Sequence, residues 1–229
     1  MFKISQLTVS YGQHLVLNHL DWELPKGQIH GLVGLNGAGK TTLFNTLFGI
    51  IKAQKGTISF DNQPFTKNHL GYLETQNYFY SYLTGREHLR IFQFNNPQFD
   101  SNHWNSLFNL PLDDLVETYS TGMKKKLAFM ALLCQNKPFL LLDEPFNALD
   151  LETNQQLRLI IKALADKGKT VLVTSHIMES LTLLCDTISY LENGKIVFCE
   201  TKENFANIEQ RIFHQQSNLQ EKINSLINS

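Results

Sequence analysis

A glycine-rich run at residues 34–42, with the sequence GLNGAGKTT, constrains this chain more than any other feature. It matches the phosphate-binding loop pattern GxxxxGK[ST]. The residues that the pattern requires are Gly34, Gly39, Lys40 and Thr41. An apolar run at 29–33 predicts a buried strand before the loop, and residues 42–48 have a helical pattern after it. Because the pattern binds phosphate in this order of strand, loop and helix, the sequence predicts a nucleoside triphosphate site.

Each part of the loop has a physical role in that prediction. Glycines let the backbone come close to an anion and point its N–H groups at it. The helix that begins at Lys40 adds its positive dipole end. Lys40 supplies a charge for the outer phosphates, and the hydroxyl of Thr41 suits Mg²⁺. The alternative is a glycine-rich turn that binds nothing. The predicted binding residues are Gly34, Leu35, Asn36, Gly37, Ala38, Gly39, Lys40, Thr41 and Thr42.

The bulk composition limits the domain organisation and the partners. With 229 residues, the chain is long enough for one large α/β domain or for a core with a small subdomain. A formal net charge of −1 gives no indication of nucleic acid as a partner. The 3 cysteines stand far apart among apolar residues, which favours reduced core thiols over a disulfide or a zinc site. They are Cys134, Cys185 and Cys199.

Membrane and export signals are not evident in the sequence. No apolar run approaches the roughly 18 residues that a membrane span requires. Met1 leads directly into a strand-like alternation instead of a signal peptide. We therefore expect a cytoplasmic protein that acts at a membrane only through a partner.

Hydrophobic periodicity predicts an α/β fold with an insertion. Strand patterns occur at 2–10, 15–24, 28–33, 56–60 and 70–73, and the first two favour an antiparallel opening. A helical, aromatic-rich stretch follows at 84–108, with a second at 127–134. Strands and helices then alternate at 139–142, 151–165, 170–174, 178–185 and 188–191, and Asn193-Gly194 predicts a hairpin into 196–198. A βαβ core is thus predicted to contain a helical insert.

These patterns give one domain over residues 1–229 with three parts. We expect the core at 1–75 and 136–200, the helical insert at 76–135, and a C-terminal helical tail at 201–229. The tail has apolar residues near helical spacing, which favours a helix packed on its own domain, with a partner-binding helix as the alternative. These apolar residues are Phe205, Ile208, Ile212, Leu219, Ile223 and Leu226.

Two adjacent carboxylates, Asp143 and Glu144, end the apolar run LLL at 140–142. A strand buried on both faces presents acids only at its tip, where the ligand crevice of a parallel sheet lies. Asp143 is placed to hold Mg²⁺, and Glu144 is a candidate general base for the attacking water. The alternative is that both acids belong to the first turn of a helix, but Pro145 favours a loop.

His176 follows the next apolar strand, at 170–174, and could bind the terminal phosphate or orient water at the same edge. Alone, it would more often be a loop histidine with local partners. The run YSTGM at 119–123 places Ser120 as an N-cap and Gly122 in the first turn of a helix. Spacing alone favours an ordinary capped helix there, followed by a solvated run of lysines at 124–126.

The order of these motifs resembles the ATP-binding subunit of an ABC transporter. The resemblance covers about residues 1–200 and comprises the phosphate loop, a helical insert, YSTGM, LLLDEP, NALD and SH. It implies a P-loop NTPase core with an antiparallel β subdomain and an inserted α-helical subdomain. It also implies that Tyr11 stacks on adenine, that Asp150 lies on a loop at the dimer interface, and that His176 is the switch histidine. Tyr119 to Met123 would be the signature sequence, through which Ser120 and Gly122 bind ATP held by the opposite subunit.

The chain departs from that family at two places. The family has Gln, sometimes Glu, at the loop joining core and insert, where this sequence has Thr75 followed by Gln76. Because Thr cannot reach the metal as Gln does, either Gln76 takes over nucleotide and metal binding through a one-residue shift, or the water is held less well. The signature YSTGM in place of LSGGQ is similar to exporters of drugs, antibiotic peptides and polysaccharides.

The resemblance implies a Mg²⁺-dependent ATPase that powers a membrane exporter by head-to-tail dimerisation with ATP. Lys40, Glu144 and His176 would be catalytic, and Thr41, Asp143 and Gln76 would hold the metal. The implied partners are a second ATP-binding subunit and an integral-membrane permease, which would hold this chain peripherally on the inner face of the cell membrane. An importer subunit, a soluble ABC ATPase acting on DNA or ribosomes, and a switch with little turnover remain alternatives.

Overall fold

The computed structural model describes residues 1–94 and 96–214. Its strands are β1 Phe2–Tyr11, β2 His14–Leu24, β3 Ile29–Val33, β4 Lys55–Phe60, β5 Gln63–Pro64, β6 Leu70–Leu73, β7 Phe139–Asp143, β8 Thr170–Thr174, β9 Thr187–Glu192 and β10 Lys195–Thr201. Its α-helices are α1 Lys40–Phe48, α2 Gly85–Gln93, α3 Ser101–Phe108, α4 Thr121–Cys134, α5 Leu151–Asp166, α6 Met178–Thr182 and α7 Ile208–His214.

The main sheet has 6 strands in the order β10-β9-β3-β8-β7-β6. Strands β9, β3, β8, β7 and β6 are parallel, and β10 pairs antiparallel with β9 through the predicted hairpin. The central strands β7 and β8 are buried along their length, because helices cover one face of the sheet and α1 with the second sheet covers the other. Asp143 and Thr174 are the last residues of β7 and β8, at the carboxyl ends where the loops leave the sheet.

A second, antiparallel sheet has the order β2-β1-β4-β5 and packs on one side of the core. Its inward side chains share a hydrophobic cluster with α1 and with strands of the main sheet, including Leu32, Leu141 and Leu172. The short edge strand β5 was not predicted, because Gln63 and Pro64 have no hydrophobic pattern. The packing holds the turn after β1 close to the end of β3.

The helical insert consists of α2, α3 and α4 and shares a second hydrophobic cluster with the other face of the main sheet. The single helical stretch predicted at 84–108 is wrong, because it is two helices with separate N-caps. Thr84 starts α2 with a reciprocal capping box to Glu87, and Asp100 starts α3 by accepting from two backbone amides. Helix α4 packs against α2 and begins at Thr121, which confirms Ser120 as its N-cap and shows that the helical stretch predicted at 127–134 was too short.

The C-terminal region packs on its own domain as far as the structure describes it. Phe205, Ile208 and Ile212 are buried in the same cluster as the insert. Leu219, Ile223 and Leu226, which the tail prediction also includes, lie outside the described residues. Helix α6 ends at Thr182, so the prediction of a helix to 185 was too long.

Two of the three cysteines fulfil the expectation of core thiols. Cys134 and Cys185 are buried, whereas Cys199 is exposed on β10, and all three are free. Burial raises the pKa of the Cys134 thiol to about 11, so this side chain stays protonated at neutral pH. Among the described residues, none of the helices is both long enough and apolar enough to span a bilayer.

Candidate nucleotide-binding site

A cleft of about 510 Å³ lies at the carboxyl edge of the main sheet. It brings together most of the residues that the sequence singled out. The predicted residues that line it are Tyr11, Leu35, Asn36, Gly37, Gly39, Lys40, Thr41, Thr42, Asp143, Glu144 and His176. Its walls also include His14, Val16, Thr75 and Asn147. The convergence follows from topology, since β3, β8, β7 and β6 are neighbours and all end at this edge.

The loop between β3 and α1 requires glycine at two positions for different reasons. A Cβ on Gly34 would lie 2.6 Å from the carbonyl oxygen of Leu191 on β9, a contact between backbones that cannot be relieved by a rotamer change. Gly39 has a φ of 109°, which residues with a side chain rarely adopt. Gly39 is also the N-cap of α1 and provides no side-chain acceptor, so the first amides of that helix are available to an anion.

Lys40 is partly buried at the base of the cleft. Its Nζ donates to the carbonyl oxygen of Gly34 and, at 3.3 Å, to that of Leu35. Burial lowers the pKa of Lys40, while the nearby Asp143 and Glu144 act to raise it. A desolvated ammonium bonded only to loop carbonyls gains strongly from a bound phosphate, which is what a triphosphate site requires.

Asp143 is held at both carboxylate oxygens by threonine hydroxyls. Thr174 at the end of β8 donates to Oδ1 at 2.6 Å, and Thr75 beyond the end of β6 donates to Oδ2 at 2.6 Å. The Thr174 hydroxyl also accepts from the backbone N–H of Glu144 at 3.2 Å. The carboxylate therefore has a fixed orientation at the edge of the cleft.

Glu144 is 5% exposed and has a φ of 51°, in the left-handed region that few non-glycine residues adopt. Such strain is typical of functional sites. Its Oε1 lies 3.4 Å from Nε2 of His176, whose side chain is 66% exposed. Its Oε2 is buried without a hydrogen-bond partner among the described residues. An unsatisfied carboxylate oxygen next to the cleft is suited to accept a hydrogen bond from water.

Tyr11 stands at the mouth of the cleft, at the turn between β1 and β2. Its ring is 52% exposed although it is large and aromatic. His14 and Val16, near the start of β2, line the same wall. An open aromatic ring beside a phosphate site offers a flat surface for a purine base.

Five predicted binding residues do not line the cleft. Gly34 and Ala38 belong to the loop, but Gly34 packs against β9 and Ala38 is buried in the core. Gln76 is exposed, and the one-residue shift that would bring it into the cleft is not observed. The reason is register: Leu73, the last residue of β6, pairs with Leu142, which places Thr75 beside Asp143. Ser120 and Gly122 stand apart, on the helical insert.

The signature turn at 119–123 is built from contacts within the insert and to the segment after Glu144. The Ser120 hydroxyl accepts from the N–H of Met123 at 3.2 Å and caps α4. A Cβ on Gly122 would lie 3.1 Å from the carbonyl oxygen of Ala148. Tyr119 is buried and donates to the carbonyl of Pro111 at 2.6 Å, which makes it a structural residue of the insert.

Sequence reasoning missed several residues that shape this region. Thr174 and His14 have no motif of their own, although the strand-tip position of Thr174 beside the acids was a usable signal. Asn147 begins the NALD run, but no binding role was predicted for it. The expectation of a solvated lysine run was wrong for Lys125, which is 6% exposed. Lys125 lies one turn into α4, among the buried residues of that helix. Asp150 caps α5 through both backbone and side chain of Thr153.

Comparison with known proteins agrees with this geometry. Residues 17–147, more than half of the chain, match the ABC transporter family. The chain is 30% identical over 223 residues to the lantibiotic transport ATP-binding protein SrtF of Streptococcus pyogenes, covering 94% of this chain and 97% of SrtF. It is 32% identical over 213 residues to the bacitracin transport ATP-binding protein BcrA of Bacillus licheniformis, covering 86% of this chain and 68% of BcrA.

The fold is similar to solved structures of the same kind. The dimeric, post-hydrolysis structure of the ATP-binding cassette MJ0796 with ADP and Pi superposes with a TM-score of 0.76 at 22% identity, covering 88% of this chain and 99% of that one. The predicted fold class, a P-loop core with an antiparallel β subdomain and a helical insert, is confirmed. The chain belongs to the ABC transporter family, in which it is an ATP-binding cassette with ATPase function.

Proposed function

We propose that this chain binds and hydrolyses ATP as one of two cassettes of a membrane exporter, and that each site is completed by the other cassette. The observation that supports the proposal most is the separation of the two halves of the site. The cleft gathers Lys40, Asp143, Glu144 and His176, while the signature residues Ser120 and Gly122 lie outside it. A triphosphate bound in this cleft would therefore lack the contacts of a signature turn from its own chain.

ATP would lie along the cleft with its base at the mouth. Tyr11 offers its exposed ring to the adenine. The amides at the start of α1 and the ammonium of Lys40 would bind the phosphates. Lys40 would then donate to phosphate oxygens instead of the loop carbonyls. Both interactions favour a highly charged phosphate chain over a neutral ligand.

The oxygen donors of the cleft fit Mg²⁺ only together with a nucleotide. No group of His, Cys, Asp and Glu residues in the described part of the chain could hold a metal by itself. Asp143 and the hydroxyl of Thr41 are hard oxygen donors in the same cleft, and Mg²⁺ commonly combines one or two such groups with phosphate oxygens and water. Mg²⁺ bound there would neutralise charge that develops on the phosphates. We assign this role to Thr41 and Asp143, with Thr75 rather than Gln76 beside them.

Hydrolysis would use Glu144 to polarise the attacking water. Its unpartnered Oε2 is the free acceptor, and His176 lies against Oε1, where it can bind the terminal phosphate and fix the carboxylate. Lys40 and the loop amides stabilise the charge that builds up on the phosphate in the transition state. These roles divide the edge of the sheet into a binding side, at β3, and a reacting side, at β7 and β8.

A second cassette would cover the open side of the triphosphate with its signature turn. There the Ser120 hydroxyl and the amide of Gly122, at the N-terminus of a 14-residue helix, are donors for an anion. The structure of MJ0796 is described as dimeric in a post-hydrolysis state bound to ADP and Pi, which supports the pairing of two cassettes. Loss of the terminal phosphate would remove the shared contacts and separate the pair.

The export role and the membrane partner follow from the relatives and from the surface of the insert. SrtF and BcrA are named as transport proteins for a lantibiotic and for bacitracin, which favours export of a peptide antibiotic. Three exposed tyrosines lie where the core joins the insert, at 78%, 53% and 79% exposure. They are Tyr78, Tyr80 and Tyr82. We assign this aromatic surface to a permease at the inner face of the membrane.

The proposal is tested by separating ATP binding from pairing. In a Glu144→Gln background, which blocks hydrolysis, we expect ATP with Mg²⁺ to convert the chain into dimers seen by analytical ultracentrifugation. Adding Ser120→Asp should abolish the dimer because the new carboxylate faces the phosphates of the other copy, while thermal stabilisation by ATP persists. Asp and Asn cap helices about as well as Ser, so Ser120→Asn is the matched control for folding.

Two results would contradict the proposal. One is dimer formation by the Ser120→Asp double variant at the same ATP concentration as the Glu144→Gln chain. The other is a loss of ATP binding in that variant as complete as in Lys40→Ala, since it would place Ser120 in the site of its own chain.

A further inference from the structure

Thr75 occupies a position that links the metal-binding carboxylate to the junction between core and insert. It stands two residues beyond the end of β6, in a segment without regular structure. Its hydroxyl donates to Asp143 at 2.6 Å, across 68 residues of sequence. An O–H to carboxylate bond of this length is among the stronger hydrogen bonds in proteins.

The two hydroxyls that donate to Asp143 lie in different structural surroundings. Thr174 is 1% exposed and ends a strand in the middle of the main sheet, so its hydroxyl is fixed by the core. Thr75 is exposed and lies on the segment that continues into the insert. The carboxylate orientation therefore depends on one rigid donor and on one donor whose position follows the segment at 74–76.

Lys125 fastens that same segment to the signature helix. Its side chain runs from the first turns of α4 into the core, and its Nζ donates to the carbonyl of Glu74 at 3.4 Å. The residue is 6% exposed. Burial lowers the pKa of Lys125, and Asp143 and Glu144 act to raise it. The ammonium of Lys125 is buried and interacts electrostatically with both Asp143 and Glu144. It also donates to the residue before Thr75. Lys125 therefore connects helix α4, the segment at 74–76 and the two acids.

We propose that Thr75 is a positioning residue that orients Asp143 for the metal, and that Lys125 ties this hydrogen bond to the signature helix α4. The inference rests on the proposed role of Asp143 as a metal ligand. It makes the orientation of the carboxylate in one cassette sensitive to the position of that cassette's own signature turn. A movement of α4 reaches Asp143 through the Glu74 carbonyl and the Thr75 hydroxyl.

The test compares the metal's contribution to nucleotide binding in variants of Thr75. Calorimetry gives the dissociation constant of the non-hydrolysable ATP analogue AMP-PNP with Mn²⁺ and with EDTA. The constant with EDTA divided by the constant with Mn²⁺ measures the metal's contribution. Thr75→Val keeps the shape but removes the hydroxyl, and we expect the ratio to fall about tenfold with the EDTA value unchanged, as for other residues that orient a metal ligand. Thr75→Ser restores the hydroxyl and should return the ratio to within about twofold of the original.

Gln76→Ala is the matched control on the neighbouring residue, and we expect it to leave the ratio unchanged. The inference would be overturned if Thr75→Val had the original ratio, or if Thr75→Ser were as low as Thr75→Val. Asp143→Ala should abolish the Mn²⁺ effect. An Asp143→Ala ratio equal to that of the unaltered chain would instead overturn the proposed metal site itself, which separates the two failures.

A second pair of variants tests the link through Lys125. Lys125→Met keeps the length and apolar stem but removes the donor, and we expect a several-fold lower Mn²⁺ ratio, on the scale of other lost supports of a metal ligand. Lys124→Met, next to it but outside the contact with Glu74, should have no effect. Lys125→Leu also removes the donor and serves as the second variant if the Met variant is unstable. Equal ratios for the Lys124 and Lys125 variants would remove α4 from the proposal.

Discussion

The carboxyl edge of the main sheet and the signature turn both offer donors to phosphate, but they are built differently. At the sheet edge, each functional group is held by neighbouring strands: Asp143 by two threonines and Glu144 by a strained backbone against His176. At the signature turn, Ser120 is exposed and its hydroxyl caps its own helix. The first region is pre-organised within one chain, and the second presents its donors outward.

This difference implies a division of tasks that follows from local structure. Groups on strand tips are fixed by a sheet with a buried core, which suits chemistry that requires accurate geometry. A helix N-terminus on an inserted subdomain can approach or leave as a body, which suits a reversible contact. Variants at the sheet edge should therefore change ATP binding by the single chain or the hydrolysis step itself, and variants at the turn should change pairing while ATP binding by the single chain is retained.

The largest expected effect is on turnover in Glu144→Gln. Because the amide cannot accept a proton from water, ATP hydrolysis should fall by about 10²–10⁴-fold. ATP affinity should stay within a few-fold, since Glu144 does not belong to the phosphate loop. Steady-state phosphate release by the chain with its membrane partner measures the first, and calorimetry of the chain alone measures the second. Turnover within tenfold of the original would remove Glu144 as the base.

The next largest effect is on ATP affinity in Lys40→Ala. Loss of the charge-assisted contact between Lys40 and the phosphates should weaken ATP binding by about 100-fold, or about 3 kcal/mol. Since burial lowers the pKa of Lys40, its charge opposes folding, and the melting temperature without nucleotide should not fall. Thermal shift with and without ATP·Mg²⁺ gives both values. An unchanged shift with ATP would contradict the assignment of the loop.

Much of the sheet edge could be predicted from the sequence because its signals are local. The loop has a fixed spacing, and Asp143, Glu144 and His176 each follow an apolar run, so topology alone brings them together. Thr75 and Lys125 were harder, because their roles depend on contacts across 68 and 51 residues. The choice between Thr75 and Gln76 required the register of β6 on β7, which no local pattern gives.

For the signature turn, by contrast, the sequence predicts the local structure but not the function. Its sequence predicts a capped helix, and spacing gives no indication that Ser120 and Gly122 bind anything. Their assignment rests on family resemblance and on their position outside the cleft. Likewise, the burial of Lys125 could be determined only from the packing of α4 against the core, because an isolated lysine run is more often solvated.

The smallest effects are expected for the replacement of one glycine in each region by alanine. Gly34→Ala would place a Cβ 2.6 Å from a backbone oxygen of β9, whereas Gly122→Ala would place one 3.1 Å from the Ala148 carbonyl, a contact that a shift of a few tenths of an ångström relieves. We expect Gly34→Ala to lose about 1–3 kcal/mol in the free energy of unfolding, together with ATP binding. Gly122→Ala should stay within about 1 kcal/mol, because helix propensity offsets the crowding, and should retain ATP binding by the single chain.

Gly168→Ala separates crowding from backbone strain in this comparison. Gly168 has a φ of 85° and nothing within 4 Å of an added Cβ, so it reports strain without a clash, about 1 kcal/mol. Urea denaturation gives the three free energies, and calorimetry gives ATP affinity. If Gly122→Ala weakened ATP binding by the isolated chain as much as Gly34→Ala, the turn would be part of the same-chain site. The distinction between a pre-organised edge and an outward-facing turn would then be wrong, because both regions would act on one nucleotide within one chain.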